Sequence, residues 1–160
     1  MKRAIIVLAS LLMLIPVCAS ALGLGPEAAV TAINNLVDAS PVEGVTQLCE
    51  YDKNSNTVLY GVESDLILEA ALAAYNEGED TPLWSTAKSL ATRMYDSARE
   101  LITLYDSDKT NLKILFVTSM DTNGSVYYSI GDDDASERHV ILDVITNDTE
   151  ITPYEEEEKE

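Results

Sequence analysis

The sequence predicts an α+β domain: a five-stranded antiparallel sheet, made of a hairpin plus a three-strand meander, covered by a long amphipathic helix. Three observations carry this. From Leu83 to Tyr105 apolar residues recur in steps of three, four and one, the pattern of a helix with one buried side. Short β-prone runs separated by polar turns lie before and after that stretch. The composition is globular, with 46% hydrophobic and 24% charged residues in a chain of 160. That length supports one core. The element order reads α-β-β-α-α-β-β-β.

The first segment is an address. Lys2 and Arg3 precede an apolar run, Ala4 to Val17, and Ala19-Ser20-Ala21 matches a small-residue cleavage pattern. This is the layout of a secretory signal peptide over residues 1–21, with export as the expectation. The run is short for a bilayer span, which needs about 20 residues. Two alternatives stay open: an uncleaved anchor from Ala4 through Leu24, and lipidation of Cys18, although Pro16-Val17 fit a lipid-attachment motif poorly. Any membrane tether would lie in this segment. Cleavage would remove two basic residues, no acid, and Cys18. Cys49 would then be the single thiol, which excludes a disulfide within the mature chain. Its apolar neighbours predict a buried thiol.

The domain is expected over residues 22–150. Pro26 to Ala39 reads as a helix, with Pro26 at the first position, Glu27 in the first turn and Ala29, Ile33, Leu36 and Val37 on one face. Asn34 and Asn35 fall on the polar side and are expected to be solvated. Ser40-Pro41 ends the helix. Val45 to Tyr51 and Thr57 to Val62 flank the turn-rich Asp52 to Asn56, so they read as a hairpin. Ser64 starts a helix to about Asn76. Thr81 is placed to cap the next helix, and Pro82 to open it. Trp84 lies on the apolar stripe and is expected in the core. Leu83 is on the same stripe.

Three strands follow. Leu112, Ile114 and Phe116 alternate with Leu115 and Val117. Asn123-Gly124 is a hairpin signal, and Val126 to Ile130 returns. Arg138 to Ile145 is the last strand expected. Residues 151–160, ending in a run of Glu, read as a disordered acidic tail. By element order, with no family motif, the chain resembles profilin-like and roadblock-like α/β sandwiches.

Charge narrows the partners. The chain has 28 Asp and Glu against 10 Lys and Arg, a net charge of −18. Nucleic acid is excluded as a partner, since phosphate binding needs clustered cations. An anionic membrane surface is disfavoured. Partners of opposite charge, a protein or cations, are favoured.

Catalytic chemistry finds little footing. His139 is the one histidine, and none of Ser119, Ser125, Ser129 or Ser136 sits in a nucleophile elbow. No nucleotide-binding loop is present, and one His with one mature Cys makes zinc a poor fit. Calcium is the sharpest site idea. Asp52, Asn54 and Asn56 offer oxygens at the first, third and fifth positions of an EF-type loop, and Glu63 falls at the twelfth. Thr57 stands where that loop requires glycine, and the following residues read as strand. A second oxygen cluster is Asp132-Asp133-Asp134 with Glu137, read as a solvated loop. Glycosylation sequons begin at Asn123 and Asn147.

These readings order the functional classes. The first is a secreted, non-catalytic interaction module without a cofactor. The alternatives are a calcium-stabilised surface protein and a small secreted hydrolase using an unidentified acid pair.

Overall fold

The computed structural model describes residues 23–77, 81–106, 110–121, 123–132, 144–145 and 151–152. The expected signal segment, His139, and most of the acidic tail lie outside them.

Helix α1 spans Pro26–Ala39, with Pro at its first position. Gly25 leads into it at φ 86° and donates its N–H to the Tyr105 carbonyl at 3.1 Å. Only glycine enters that backbone region without strain. Ala29 and Ile33, one turn apart, are buried. The Ser40 N–H donates to the Val37 carbonyl and closes the last turn. A tight turn through Glu43 and Gly44 brings Val42 and Val45 into a bridge.

Strands β1, Thr46–Asp52, and β2, Thr57–Glu63, pair antiparallel, with Cys49 opposite Tyr60. Helix α2 is Asp65–Glu77 and α3 is Pro82–Asp106. The Trp84 N–H donates to the Thr81 hydroxyl at 3.2 Å, so Thr81 caps α3 as expected. Strands β3, Asn111–Val117, and β4, Val126–Gly131, complete a sheet of order β1-β2-β3-β4. Strand β2 runs parallel to β3, and β3 antiparallel to β4. Strands β5, Val144–Ile145, and β6, Ile151–Thr152, pair with each other in a separate two-stranded sheet.

The α+β class holds, but the five-stranded, wholly antiparallel sheet does not. Among the described residues the main sheet has four strands and is mixed. The pairs β1–β2 and β3–β4 are joined by reversing turns and are antiparallel. Between β2 and β3 run two helices, and such a crossover lets β3 enter from the same end as β2. Of the expected fifth strand, residues 138–143 lie outside the described ones. Val144–Ile145 pairs with Ile151–Thr152 and not with β4.

The helices pack on one side. Helix α3 lies on β3 and β4, α1 lies on β1 and α3, and α2 packs on α3. The strand registers align Cys49, Tyr60, Ile114 and Ile130 in one row and Val62, Phe116 and Tyr128 in the next. All of these are buried. Trp84 is buried as expected, its ring edge-on to Tyr128 at 5.3 Å. The register slips between Phe116 and Val117. At this bulge both Tyr127 and Tyr128 are buried, with ring centres 6.2 and 5.2 Å from Phe116. In the loop before β4, a Cβ on Gly124 would come within 1.9 Å of the Ser119 carbonyl oxygen, so that position accepts no side chain.

Candidate functional site

The four calcium candidates do not converge. Asp52, Asn54 and Asn56 share the β1–β2 turn, where their oxygens serve the turn itself. The Asp52 carboxylate accepts the Ser55 hydroxyl at 2.7 Å and the Asn54 N–H at 2.9 Å. These bonds, Ser55 first, hold its carboxyl below the usual carboxylate range. Asn56 adopts φ 51°, a left-handed conformation that asparagine tolerates. Its side-chain oxygen accepts the Tyr51 hydroxyl at 2.8 Å, and its backbone carbonyl accepts the Asn111 N–H at 2.9 Å. Glu63 ends β2, about 20 Å away by the rise of a strand. There it accepts the Met120 N–H at 2.9 Å. Among the described residues no group of three His, Cys, Asp or Glu is placed to hold a metal ion.

The second oxygen cluster divides. Asp133, Asp134 and Glu137 lie outside the described residues. Asp132 is no solvated loop acid. Its carboxylate accepts from the Tyr95 hydroxyl, the Arg99 guanidinium and the Leu112 N–H. Arg99 also donates to the Thr110 carbonyl at 2.9 Å. The cluster ties the end of β4 to α3 and to the start of β3. These three partners all belong to the fold itself, so the cluster does structural work.

The remaining polar candidates are scattered. Ser119 accepts the Asp121 N–H at 3.2 Å. Asn123 is exposed on its loop, as an acceptor of glycan must be. Ser136, His139 and Asn147 lie outside the described residues. Cys49 is buried, and burial, with a smaller effect from the Glu50 charge, pushes its thiol up to about 12. A thiol so protonated is a poor nucleophile. Among the described residues no helix is long and apolar enough to cross a membrane.

What the molecule presents instead is an apolar groove. One wall is Leu66, Ile67 and Ala70 of α2. The other is Leu83, Thr86, Ala87 and Leu90 of α3. The Val42–Val45 turn and Ser64 close one end. Leu83 was expected in the core stripe of α3, yet it is 42% exposed. It sits in the first turn beside Trp84; Trp84 takes the position that faces the sheet, against Tyr128, and Leu83, one residue further round the helix, borders the groove. Val42, Val45, Leu66 and Ile67 are half-buried. Three exposed carboxylates, Glu43, Asp65 and Glu69, each stand next in sequence to a lining residue.

The groove joins residues 42–45, 64–70 and 83–90, so no single local pattern marks it. A signal existed in α2. Leu66, Ile67 and Leu68 are successive aliphatic residues, and they span more of a helix's circumference than a single packing face requires.

Comparison with protein-family models, curated proteins and solved structures finds no match to this chain.

Proposed function

We propose that this chain is a non-catalytic interaction module working outside the cytoplasm, and that it binds its partner through the groove between α2 and α3. The observation that carries the reading is the lining. Half-buried Val42, Val45, Leu66 and Ile67 meet the exposed Leu83 on a chain of net charge −18. Apolar side chains gathered along one concave surface offer a seat for apolar groups of a partner. The N-terminal layout, Lys2-Arg3, an apolar run and Ala19-Ser20-Ala21, supports export.

The test uses Nile red, an uncharged dye that brightens in apolar surroundings. The purified protein should give a saturable fluorescence gain. Leu83→Asp should abolish it while circular dichroism stays unchanged. An acid is well placed at the first turn of a helix, so this variant should fold. No gain with the unaltered protein, or equal gain with the variant, would overturn the groove as the binding surface. Export is checked separately, by sequencing the N-terminus of protein collected outside the cytoplasm. Leu22 should come first, and an intact Met1 would refute cleavage after Ala21.

A further inference from the structure

The groove has two features that bear on what fills it: a lining of aliphatic side chains contributed by two helices, and a one-sided charge around it. Glu43, Asp65 and Glu69 are exposed, and each adjoins a lining residue in sequence. On the α3 side the lining residue Ala87 is followed by Lys88, which is half-buried and already has an interaction partner. With these three acids against one lysine, the residues that adjoin the lining carry a net negative charge. A second copy of the chain is disfavoured as occupant, because two molecules of charge −18 repel. An anionic lipid or fatty acid meets the same repulsion. An occupant with apolar side chains on one side and cations on the other is attracted by both features.

Resting on the interaction-module reading, we propose that this groove seats a short amphipathic helix of a cationic partner protein. Its apolar residues, spaced i, i+3 or i+4, and i+7, would enter between Leu66 and Ile67 on one wall and Leu83 and Leu90 on the other. Its Lys or Arg residues would face Glu43, Asp65 and Glu69. This is the helix-in-groove mode, in which the apolar face supplies affinity. The flanking charges set the association rate and exclude acidic competitors.

The experiment titrates the full purified protein with synthetic helices of about five turns, followed by calorimetry and circular dichroism. One peptide is Leu and Lys with all Leu on one face. A second has the same composition scrambled so that no apolar face exists. A third keeps the first pattern with Glu replacing Lys. The first should bind saturably at one per chain and gain helicity. The other two should bind at least about tenfold more weakly. Leu83→Asp should weaken the first peptide by about tenfold or more. That variant adds a negative charge, which alone would strengthen binding to a cation, so the loss reports the apolar contact. The combined Glu43→Gln, Asp65→Asn and Glu69→Gln variant should lower affinity at low salt and flatten its salt dependence.

Equal binding of the first two peptides would reduce the effect to charge attraction and overturn the proposal. So would equal binding of the Glu peptide, or no effect of Leu83→Asp. Nile red binding without peptide binding would overturn the cationic helix and leave the groove standing. Failure of both probes would remove the groove itself. A stable dimer that excludes both would assign the groove to a second copy and overturn the proposal.

Discussion

The side-chain amide of Asn34 is bonded twice to the backbone of Cys49: it donates to the Cys49 carbonyl at 2.8 Å and accepts the Cys49 N–H at 2.9 Å. Strand β1 is an edge of the main sheet. Its outward backbone groups would otherwise stand unpaired, and exposed edges invite pairing with other chains. A helix side chain here does the work of a fifth strand at one residue. Asn34 was expected to be solvated; it instead fastens α1 to the sheet edge.

Asn34→Ala should therefore cost more than an exposed helix substitution. It leaves two partly buried backbone groups without partners, a loss of about 2 kcal/mol. The same change relaxes edge protection, so the variant should also aggregate sooner on standing. Urea unfolding checks the first point: the midpoint should fall with the slope unchanged. Asn35→Ala, one residue along and exposed, is the control. An equal shift in the two variants would show that the paired bonds contribute nothing.

Asp132→Ala should be destabilising by a similar amount, about 2 kcal/mol, because three donors lose a charged acceptor at once. Arg99 keeps its bond to the Thr110 carbonyl, so the guanidinium is not wholly stranded. Arg99→Ala placed on top of Asp132→Ala should cost clearly less than Arg99→Ala alone, since the pair then no longer exists to be broken. Full additivity in that cycle would mean the two side chains act independently.

Part of this architecture was legible in the residues and part was not. Helix α3 was readable because its apolar stripe repeats locally, over many turns. Helix α1 was readable because Pro26 and Ser40-Pro41 mark its ends. The parallel pairing of β2 with β3 was not, since it joins Tyr60 to Ile114 across two helices and no local period records it. The paired burial of Tyr127 and Tyr128 breaks the two-residue period that identifies a strand face. Leu83 reads as core by its spacing, but of the two adjacent apolar residues it is Trp84 that meets the sheet, and Leu83 falls at the edge of the stripe. The spacing of Asp52 and Glu63 suits a loop closing on an ion, but β2 is extended and carries Glu63 away.

Two buried tyrosines should respond oppositely to losing their hydroxyls. The Tyr60 hydroxyl donates to the Gln47 side chain at 2.9 Å. Among the described residues the Tyr127 hydroxyl has no hydrogen-bond partner. Tyr60→Phe should cost about 1 kcal/mol, while Tyr127→Phe should be neutral or stabilising. A destabilising Tyr127→Phe, measured by urea midpoint at pH 7, would show that the hydroxyl has a partner.

The same burial sets an alkaline limit. Burial raises the ionisation of Cys49 to about 12, and raises Tyr60 and Tyr127 above the usual phenol range. The folded state holds these protons more tightly than the unfolded one. Their contribution is complete below the ordinary thiol range, and it is lost as pH rises from about 9 through the raised values. The unfolding midpoint should fall steadily above pH 9. Cys49→Ala should flatten the first part of that fall, and Tyr127→Phe the later part. A thiol reagent at pH 8 should modify Cys49 only as fast as the protein opens. Rapid modification of the native protein, or a midpoint flat to pH 11, would contradict the burial argument.

Calcium should stabilise this protein no more than any other salt of equal ionic strength. The turn oxygens of Asp52 and Asn56 are bonded within the fold, and Glu63 is held at the far end of β2 by the Met120 N–H. Bringing Glu63 to the turn would require β2 to leave both β1 and β3. What remains for cations is screening. A net charge of −18 repels itself, and any salt lessens that repulsion. Thermal unfolding with CaCl₂, MgCl₂ and NaCl at matched ionic strength should give the same rise in midpoint. Asp52→Ala should lower the midpoint slightly, through the lost turn bonds, and equally in all three salts. A rise confined to calcium, and abolished by Asp52→Ala, would mean that a ligand of the native state binds at the turn. The β1–β2 turn would then have to recruit ligands other than Glu63.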